Sequence, residues 1–412
     1  MKRCIELPSF LTLSQEIGSR LCAEAQWSGE LCNWIGDSMS YEPSGWQVVR
    51  RTLGPNLYTG ASGIALFLAY LFRCIPDQTF RKTAEGAMSY ALSHLDRLRS
   101  AGNFGFYSGL TGLAYVLNQM ADIFAAPQFA EQSLAILRDS SPSPADLDRW
   151  DVVSGGAGVI PVLLKLHEVY GSQFLLDLAL LHGEMLLQCA TRSQRGWSWS
   201  AGEHQSHSNL TGFSHGTAGV AWSLLELHKK TGSPDFLAAA LEAFRYERHW
   251  YSPEWENWPD FRTVPESGKP VYVAGWCHGA PGIGLSRIRA FQLLGDQKCR
   301  SEAEIAVRTT TRALDGALSG HGNYSLCHGH CGNAELLLLA GDVLGDESSI
   351  NTAQKMAADA LQKYSVEKNP WPCGVMNGGE TPDLMLGLAG IGHFYLRLHD
   401  RQKIPSVLLI GP

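Results

Sequence analysis

Long hydrophobic runs, an excess of basic charge and a recognisable export signal are all missing from this 412-residue sequence. The longest apolar stretches, such as residues 63–72, fall well short of the ~20 residues that a bilayer-spanning helix needs. Glu6 and Pro8 interrupt the N-terminal segment where a signal peptide requires an unbroken apolar run. The net charge of −7 argues against nucleic acid as a partner. We therefore predict a cytoplasmic protein with no membrane span.

Disulfide bonds are not expected either, although the chain has ten cysteines, because the cytoplasm is reducing. The composition, 45% hydrophobic and 18% charged, is typical of a folded protein. The chain exceeds the roughly 250–300 residues at which a single core usually stops growing, unless it is built from repeats. Most of its cysteines show no pairing pattern and are predicted to be structural, namely Cys4, Cys22, Cys32, Cys74, Cys189, Cys299 and Cys373.

Glycine, by contrast, is abundant and regularly placed. Seven Gly-x-x-Gly elements recur, each followed by an apolar helical pattern, and their first glycines are 49, 46, 61, 63, 50 and 58 residues apart. One such element means little, but seven with a shared downstream pattern indicate an internal repeat. The elements begin at Gly60, Gly109, Gly155, Gly216, Gly279, Gly329 and Gly387.

The repeat predicts an all-α fold. The helix after each Gly-x-x-Gly is apolar on all sides and must be buried on all sides, whereas the segments between them are amphipathic. Each repeat is thus predicted to be an outer amphipathic helix followed by a buried inner helix. Seven such pairs suit an α/α toroid of seven inner and seven outer helices, forming one domain over residues 1–412. An open helical solenoid, which would need polar capping repeats, is the alternative.

The four middle repeats carry reactive side chains one to four residues before the first glycine of the repeat. Asp151 lies four residues before Gly155, and His215 directly precedes Gly216. Cys277 lies two residues before its glycine, and Cys327 and His328 lie two and one before theirs. Equivalent repeats would bring all five side chains to one rim of the central cavity.

Two cysteines and a histidine suit Zn²⁺, and three protein ligands leave the fourth tetrahedral position open, as in catalytic zinc sites. The helix N-terminus also favours thiolate over thiol. Simpler explanations remain at this stage: the cysteines could belong to the core, the histidines could bind helix ends, and Asp151 could be an N-cap.

Other candidates are weaker. Three residues flank the proposed ligands and are expected to pack or support the site from beside it, because side chains diverge as a helix starts. Four tryptophans in the two longest inter-repeat segments could form a binding lip or simply anchor loops. The flanking residues are His278, His330 and Cys331, and the tryptophans are Trp197, Trp199, Trp255 and Trp258.

The motifs GFSHGTAG, WCHGAPG and LCHGHCGN, set on this seven-fold repeat, resemble those of the lanthionine synthetase C-like cyclases. The segments CAEAQWSGELCNWIGD, LGPNLYTGASGIALFLAYL and IPSVLL look most like the cyclase half of class II lanthipeptide synthetases, without their dehydratase half. The resemblance implies zinc ligands at Cys277, Cys327 and His328, an acid/base histidine at His215 and an accompanying aspartate at Asp151.

The resemblance also implies a reaction and its partners. A dehydrated precursor peptide, supplied by a separate dehydratase, would carry dehydroalanine or dehydrobutyrine and a free cysteine. Zinc would lower the pKa of that cysteine, and the thiolate would add to the dehydro residue. His215 would protonate the resulting enolate, giving a lanthionine or methyllanthionine ring.

Two other functions are compatible with the same residues. A prenyltransferase-like toroid also presents zinc to a thiol, but it needs a basic pyrophosphate site. A non-enzymatic, peptide-binding helical scaffold with a structural zinc would need a fourth protein ligand.

Overall fold

A computed structural model describes residues 9–42, 45–140, 142, 149–200, 208–262, 269–317 and 322–411. The described parts are mainly helical, as predicted, and no helix in them is long and apolar enough to cross a membrane. The helices in chain order are α1 (Phe10–Glu24), α2 (Ala61–Cys74), α3 (Gln78–Leu92), α4 (Leu95–Ser100), α5 (Leu110–Ile123), α6 (Pro127–Arg138), α7 (Gly156–Tyr170), α8 (Gln173–Gln188), α9 (Thr217–Thr231), α10 (Pro234–Trp250), α11 (Ala280–Leu294), α12 (Gln297–Ala317), α13 (His330–Leu344), α14 (Glu347–Leu361) and α15 (Leu388–Asp400).

The inner helices α2, α5, α7, α9, α11, α13 and α15 each begin directly after the first glycine of a repeat. Their apolar sequences are buried on all sides, and residues 61–71 of α2 are all buried. The glycines allow a tight junction. In the fourth repeat a Cβ on Gly216 would overlap the backbone of Thr211, and one on Gly219 would overlap the carbonyl oxygen of Phe213.

The inner helices form a closed ring, because each packs against the next and α15 packs against α2. The outer helices α1, α3, α6, α8, α10, α12 and α14 surround them. Each inner helix pairs with the outer helix that follows it across a link of two or three residues, and α1 closes the circle on α15. The pairing is therefore inner-then-outer, the reverse of the predicted order within a repeat. The α/α toroid is confirmed, and the open solenoid is excluded.

The described residues include three small antiparallel hairpins that were not predicted. They lie in the longer outer-to-inner connections, where alternation covers only a few residues and much of the surface is exposed. In the largest hairpin, Tyr41 pairs with Trp46, and both side chains are exposed. The hairpins are β1 (Gln26–Ser28) with β2 (Leu31–Asn33), β3 (Ile35–Glu42) with β4 (Gly45–Thr52), and β5 (Thr191–Ser193) with β6 (Gly196–Ser198).

Backbone hydrogen bonds join the seven connections into a second closed ring at the end where the inner helices begin. We call this end the rim. The bonded residues lie two or three positions before the repeat glycine, so equivalent positions meet. The N–H to carbonyl bonds run from Tyr58 to Tyr107, Tyr107 to Val153, Val152 to Ser214, Ser214 to Cys277, Cys277 to Cys327, Cys327 to Met385, and Met385 to Tyr58.

The C-terminal segment 404–411 fills the middle of the toroid. Its carbonyl groups accept hydrogen bonds from residues on different repeats: Tyr107 Oη binds Val407 O at 2.5 Å, and Trp276 Nε1 binds Leu408 O at 3.0 Å. Ile404, Val407, Leu408 and Ile410 are buried. This segment therefore plugs the space enclosed by the inner helices.

Candidate metal centre and acid/base pair

Cys277 and Cys327 become neighbours through the ring of backbone hydrogen bonds, because Cys277 N donates to Cys327 O at 3.2 Å. His328 follows directly in sequence. The ligand atoms of these three residues all lie within 4.8 Å of one another, with both cysteines buried and His328 exposed. Residues 50 positions apart thus meet through the repeat register alone.

The hydrogen bonds of His328 orient it for metal binding. Its Nε2 lies 3.0 Å from Gly374 O. Because a carbonyl can only accept, Nε2 carries the proton, which leaves the Nδ1 lone pair for a ligand. Although His328 is exposed at the surface, partial desolvation by the surrounding protein and the charge of Arg262 lower its pKa despite this bond, which favours the neutral ring that metal binding requires.

The two thiols affect each other's pKa. A hydrogen bond with Cys327 lowers the pKa of the Cys277 thiol despite its burial, and the nearby charges of Arg262 and His215 lower it further. The same hydrogen bond and burial raise the pKa of Cys327 well above its usual value. Two cysteine sulfurs and an imidazole within 4.8 Å of one another, with a lowered pKa at Cys277, match a three-ligand zinc site.

Asp151 and His215 form a pair on adjoining rim loops. His215 Nδ1 lies 2.7 Å from Asp151 Oδ2. The carboxylate can only accept, so Nδ1 carries a proton and Nε2 faces away from Asp151. Burial opposes charge on the ring, but the hydrogen bond and charge of Asp151 outweigh it and raise the pKa of His215. The side chain of His215 is still 38% exposed and so is reachable from the rim.

His278 links the His215–Asp151 pair to the three metal-binding candidates, because it directly follows Cys277 in the sequence and contacts His215. The His278 ring stacks on the His215 ring, with centroids 6.0 Å apart. His278 is fully buried, and burial together with the charge of Arg262 lowers its pKa to about 3. The expectation that His278 packs beside the site agrees with this position.

Sequence reasoning missed three residues around the site. Asp260 binds Arg262 through both carboxylate oxygens, at 2.7–3.1 Å, and Arg262 lends positive charge to the thiols. Asp260 and Arg262 lie well before Gly279, outside the short stretch around the glycine that the repeats share, so comparison of the repeats could not have found them. The Tyr58 hydroxyl hydrogen-bonds to Cys327 and lowers its pKa. Tyr58 occupies the same register position as the cysteines, which was a usable signal.

The remaining candidates lie elsewhere. His330 contacts the Tyr324 ring and Cys331 is fully buried, and neither belongs to the metal-binding group. The tryptophans divide: Trp199 and Trp258 are buried, whereas Trp255 is exposed and stacks on Tyr272, and Trp197 lies under Arg192. Of the cysteines predicted to be structural, Cys4 lies outside the described residues, Cys32 and Cys299 are buried, and Cys189 is exposed.

Comparison with known proteins gives a consistent result. A family model described as lanthionine synthetase C-like protein matches residues 51–409. The lacticin 481/lactococcin biosynthesis protein LcnDR2 of Lactococcus lactis subsp. lactis is 24% identical over 98% of this chain, which spans only 41% of that protein's length. The nisin biosynthesis protein NisC of the same organism is 25% identical, over 76% of this chain and 80% of NisC.

Two further relatives extend the comparison. The glutathione S-transferase LANCL1 of Danio rerio is 24% identical over 84% of each chain. Among solved structures, nisin cyclase superposes with a TM-score of 0.63 at 18% identity, covering 86% of this chain and 92% of that chain. This likeness confirms the toroidal fold.

Proposed function

Because the chain belongs to the lanthionine synthetase C-like family, we propose that it is a peptide cyclase that forms lanthionine or methyllanthionine. Its substrate is a precursor peptide that carries a free cysteine and a dehydroalanine or dehydrobutyrine residue. The observation that carries the proposal is the meeting of Cys277, Cys327 and His328, with ligand atoms within 4.8 Å, beside the His215–Asp151 pair on one rim.

Cys277, Cys327 and His328 would hold a zinc ion. Three protein ligands leave one coordination position for the substrate. When bound, the ion lowers the pKa of the substrate thiol so that a thiolate is available at neutral pH. Arg262 adds positive charge on the same side of the site.

The addition needs a proton at the end, and the two histidines differ in their ability to give it. The substrate thiol loses its proton to solvent, its sulfur bonds to the β-carbon as the carbon–carbon π bond opens, and the α-carbon must be protonated. His278 is fully buried and has no exposed surface that could reach a peptide, and burial lowers its pKa to about 3, so it does not suit the role of donor. His215 has a raised pKa, so its Nε2 can hold the proton and deliver it, while Nδ1 stays bound to Asp151.

The dehydration that prepares the substrate would take place outside this site. We propose that residues 1–412 act as one cyclase domain and that a dehydratase, separate from this site, prepares the peptide. The chain spans 41% of the length of the lacticin 481/lactococcin biosynthesis protein.

The proposal is tested with a short synthetic peptide, the test peptide, that contains one cysteine and one dehydroalanine. Mass spectrometry after thiol labelling follows loss of free thiol with the protein and in an enzyme-free control, because thiols also add spontaneously. Cys277→Ala and Cys327→Ala are expected to lose both zinc and catalysis. Retention of full zinc by both variants would show that the ligand assignment is wrong, and rates equal to the control with wild-type protein would rule out cyclase activity.

A further inference from the structure

Glu247 lies on the outer helix α10 and is fully buried. Its carboxylate accepts hydrogen bonds from residues 212–218, the rim loop that carries His215. Its Oε1 accepts hydrogen bonds from Gly212 N at 3.0 Å, Thr217 Oγ1 at 3.0 Å and Ala218 N at 3.1 Å. These donors stand on both sides of His215 in the sequence. One oxygen atom therefore hydrogen-bonds to both ends of the segment that carries His215.

The other oxygen of Glu247 is fixed as well. Arg287 Nη2 donates to Oε2 at 3.1 Å, and the Arg287 side chain is fully buried over the Phe244 ring. Arg287 Nε binds Glu302 on α12 at 2.6 Å. Charge-assisted hydrogen bonds in a buried setting are strong and directional. The carboxylate thus has little freedom to move.

The inner side of the loop is attached to the candidate metal centre. Phe213 N and Ser214 N both donate to Cys277 O, at 3.1 and 3.2 Å. Gly212 has φ +104°, a conformation that favours glycine. The loop is consequently held between Glu247 on the outside and the Cys277 backbone on the inside, with His215 between the two attachments.

We propose that Glu247 is a positioning residue: through residues 212–218 it sets where the His215 ring stands relative to Asp151 and the metal centre. This inference rests on the proposed function for its effect on rate. Asp151, Cys277, His278 and Arg262 are the ionisable or charged groups that act on His215. A shift of about 1 Å in a catalytic group can reduce the rate ~10²-fold.

The test compares Glu247→Gln with Glu226→Gln. Glu226 lies on α9 and is also buried, and it binds a single arginine, Arg289, at 2.5 and 3.0 Å without touching the rim loop. Both changes remove a charge beside a buried arginine. Glu247→Gln is expected to lower kcat for the test peptide by about 10- to 100-fold with KM and zinc content unchanged. Glu226→Gln is expected to keep the wild-type kcat.

Two further measurements separate positioning from general damage. In a His215→Ala background, Glu247→Gln should cause no additional loss, because its effect passes through His215. Thr217→Val removes one donor and leaves the Glu247–Arg287 pair intact, so it should give a smaller loss of the same kind even if Glu247→Gln folds poorly. Losses that add in the double variant, or a Thr217→Val rate equal to wild type, would overturn the proposal.

A readout without substrate distinguishes this inference from the proposed function. The NMR signals of the His215 ring, assigned with His215→Ala, should move in Thr217→Val and Glu247→Gln but stay in place in Glu226→Gln. If His215→Ala cyclised at the wild-type rate, the acid role would fail while these signals still tested positioning. Unchanged His215 signals in both loop variants would overturn the role of Glu247.

Discussion

Asp151 uses its two carboxylate oxygens for two different purposes. Oδ1 accepts hydrogen bonds from Ser154 N at 2.6 Å and Ser154 Oγ at 3.0 Å, and Oδ2 binds His215. Asp383 occupies the same register position and likewise binds a backbone N–H three residues later. The sequence left open whether Asp151 is a cap or a partner of His215. It makes both sets of contacts, and the contact with His215 is what distinguishes it from Asp383.

His215→Ala should keep zinc and the fold but lose most of the cyclisation rate. The imidazole lies on the rim with its side chain 38% exposed, so its removal leaves no large cavity in the core. General acid–base groups typically contribute 10²–10⁴-fold. Thiol loss from the test peptide, measured with zinc content, checks this. A wild-type rate and ring pattern would remove the acid role.

Asp151→Asn should shift the pH dependence of the reaction. Asp151 raises the pKa of His215 against the effect of burial, so a neutral asparagine should lower that pKa. Since the protonated ring is the proposed donor, the rate should then begin to fall at a lower pH than in the wild type. The loss at neutral pH should not exceed that of His215→Ala. A pH–rate profile at constant zinc content tests this, and an unmoved alkaline limb would contradict it.

Among the helices and loops, those governed by the repeat could be predicted and those outside it could not. Each inner helix starts where its glycine predicts, because backbone atoms of the preceding loop leave no room for a side chain. The same register brought Cys277, Cys327 and His328 together, and the family assigned from the motifs is confirmed. The catalytic roles of these residues remain predictions.

The features that were missed depend on contacts without a local pattern. Glu247 reaches the His215 loop from an outer helix, and its three donors lie 29 to 35 residues away along the chain. The plug formed by residues 404–411 is a short apolar segment. Its position could not be predicted, because the space that it fills exists only once the ring of helices has closed. The β3–β4 hairpin alternates too briefly, on a surface with both sides partly exposed, to be separated from a loop.

Gly219→Ala should destabilise the protein and displace the His215 side chain. A Cβ there would overlap Phe213 O, two residues before His215, and crowd the side chain of Val152 beside Asp151. Overpacking of this kind typically costs about 1–3 kcal/mol. Urea unfolding and the cyclisation rate measure both effects. Gly379→Ala is the control, since among the residues that the structure describes only the Asp37 carboxylate lies near its added Cβ, at 3.5 Å. Equal stability of the two variants would contradict the packing argument.

At the scale of the whole molecule, contacts among all seven repeats close the fold. Inner-helix packing and the seven-membered ring of backbone hydrogen bonds both form complete circles. The candidate metal centre connects only two adjacent repeats of this circle.

Chelation should therefore remove zinc and activity but leave the helical far-ultraviolet circular dichroism spectrum nearly unchanged, unlike a zinc finger. Re-addition of zinc should restore the cyclisation rate in the same sample, which controls for irreversible damage. A spectrum that collapses on chelation would show that the metal contributes to the fold.

The plug formed by residues 404–411 also constrains how a long peptide could be handled. With Tyr107 and Trp276 bound to this segment beneath the rim, a chain cannot be threaded through the toroid from one end to the other. A peptide substrate of the proposed cyclase would therefore have to approach and depart by the same opening. Under that proposal, ring closures at successive cysteines would require the peptide to slide sideways across the rim or to dissociate and rebind, and the order of the rings would be set by lateral movement of the substrate and not by translocation through a pore.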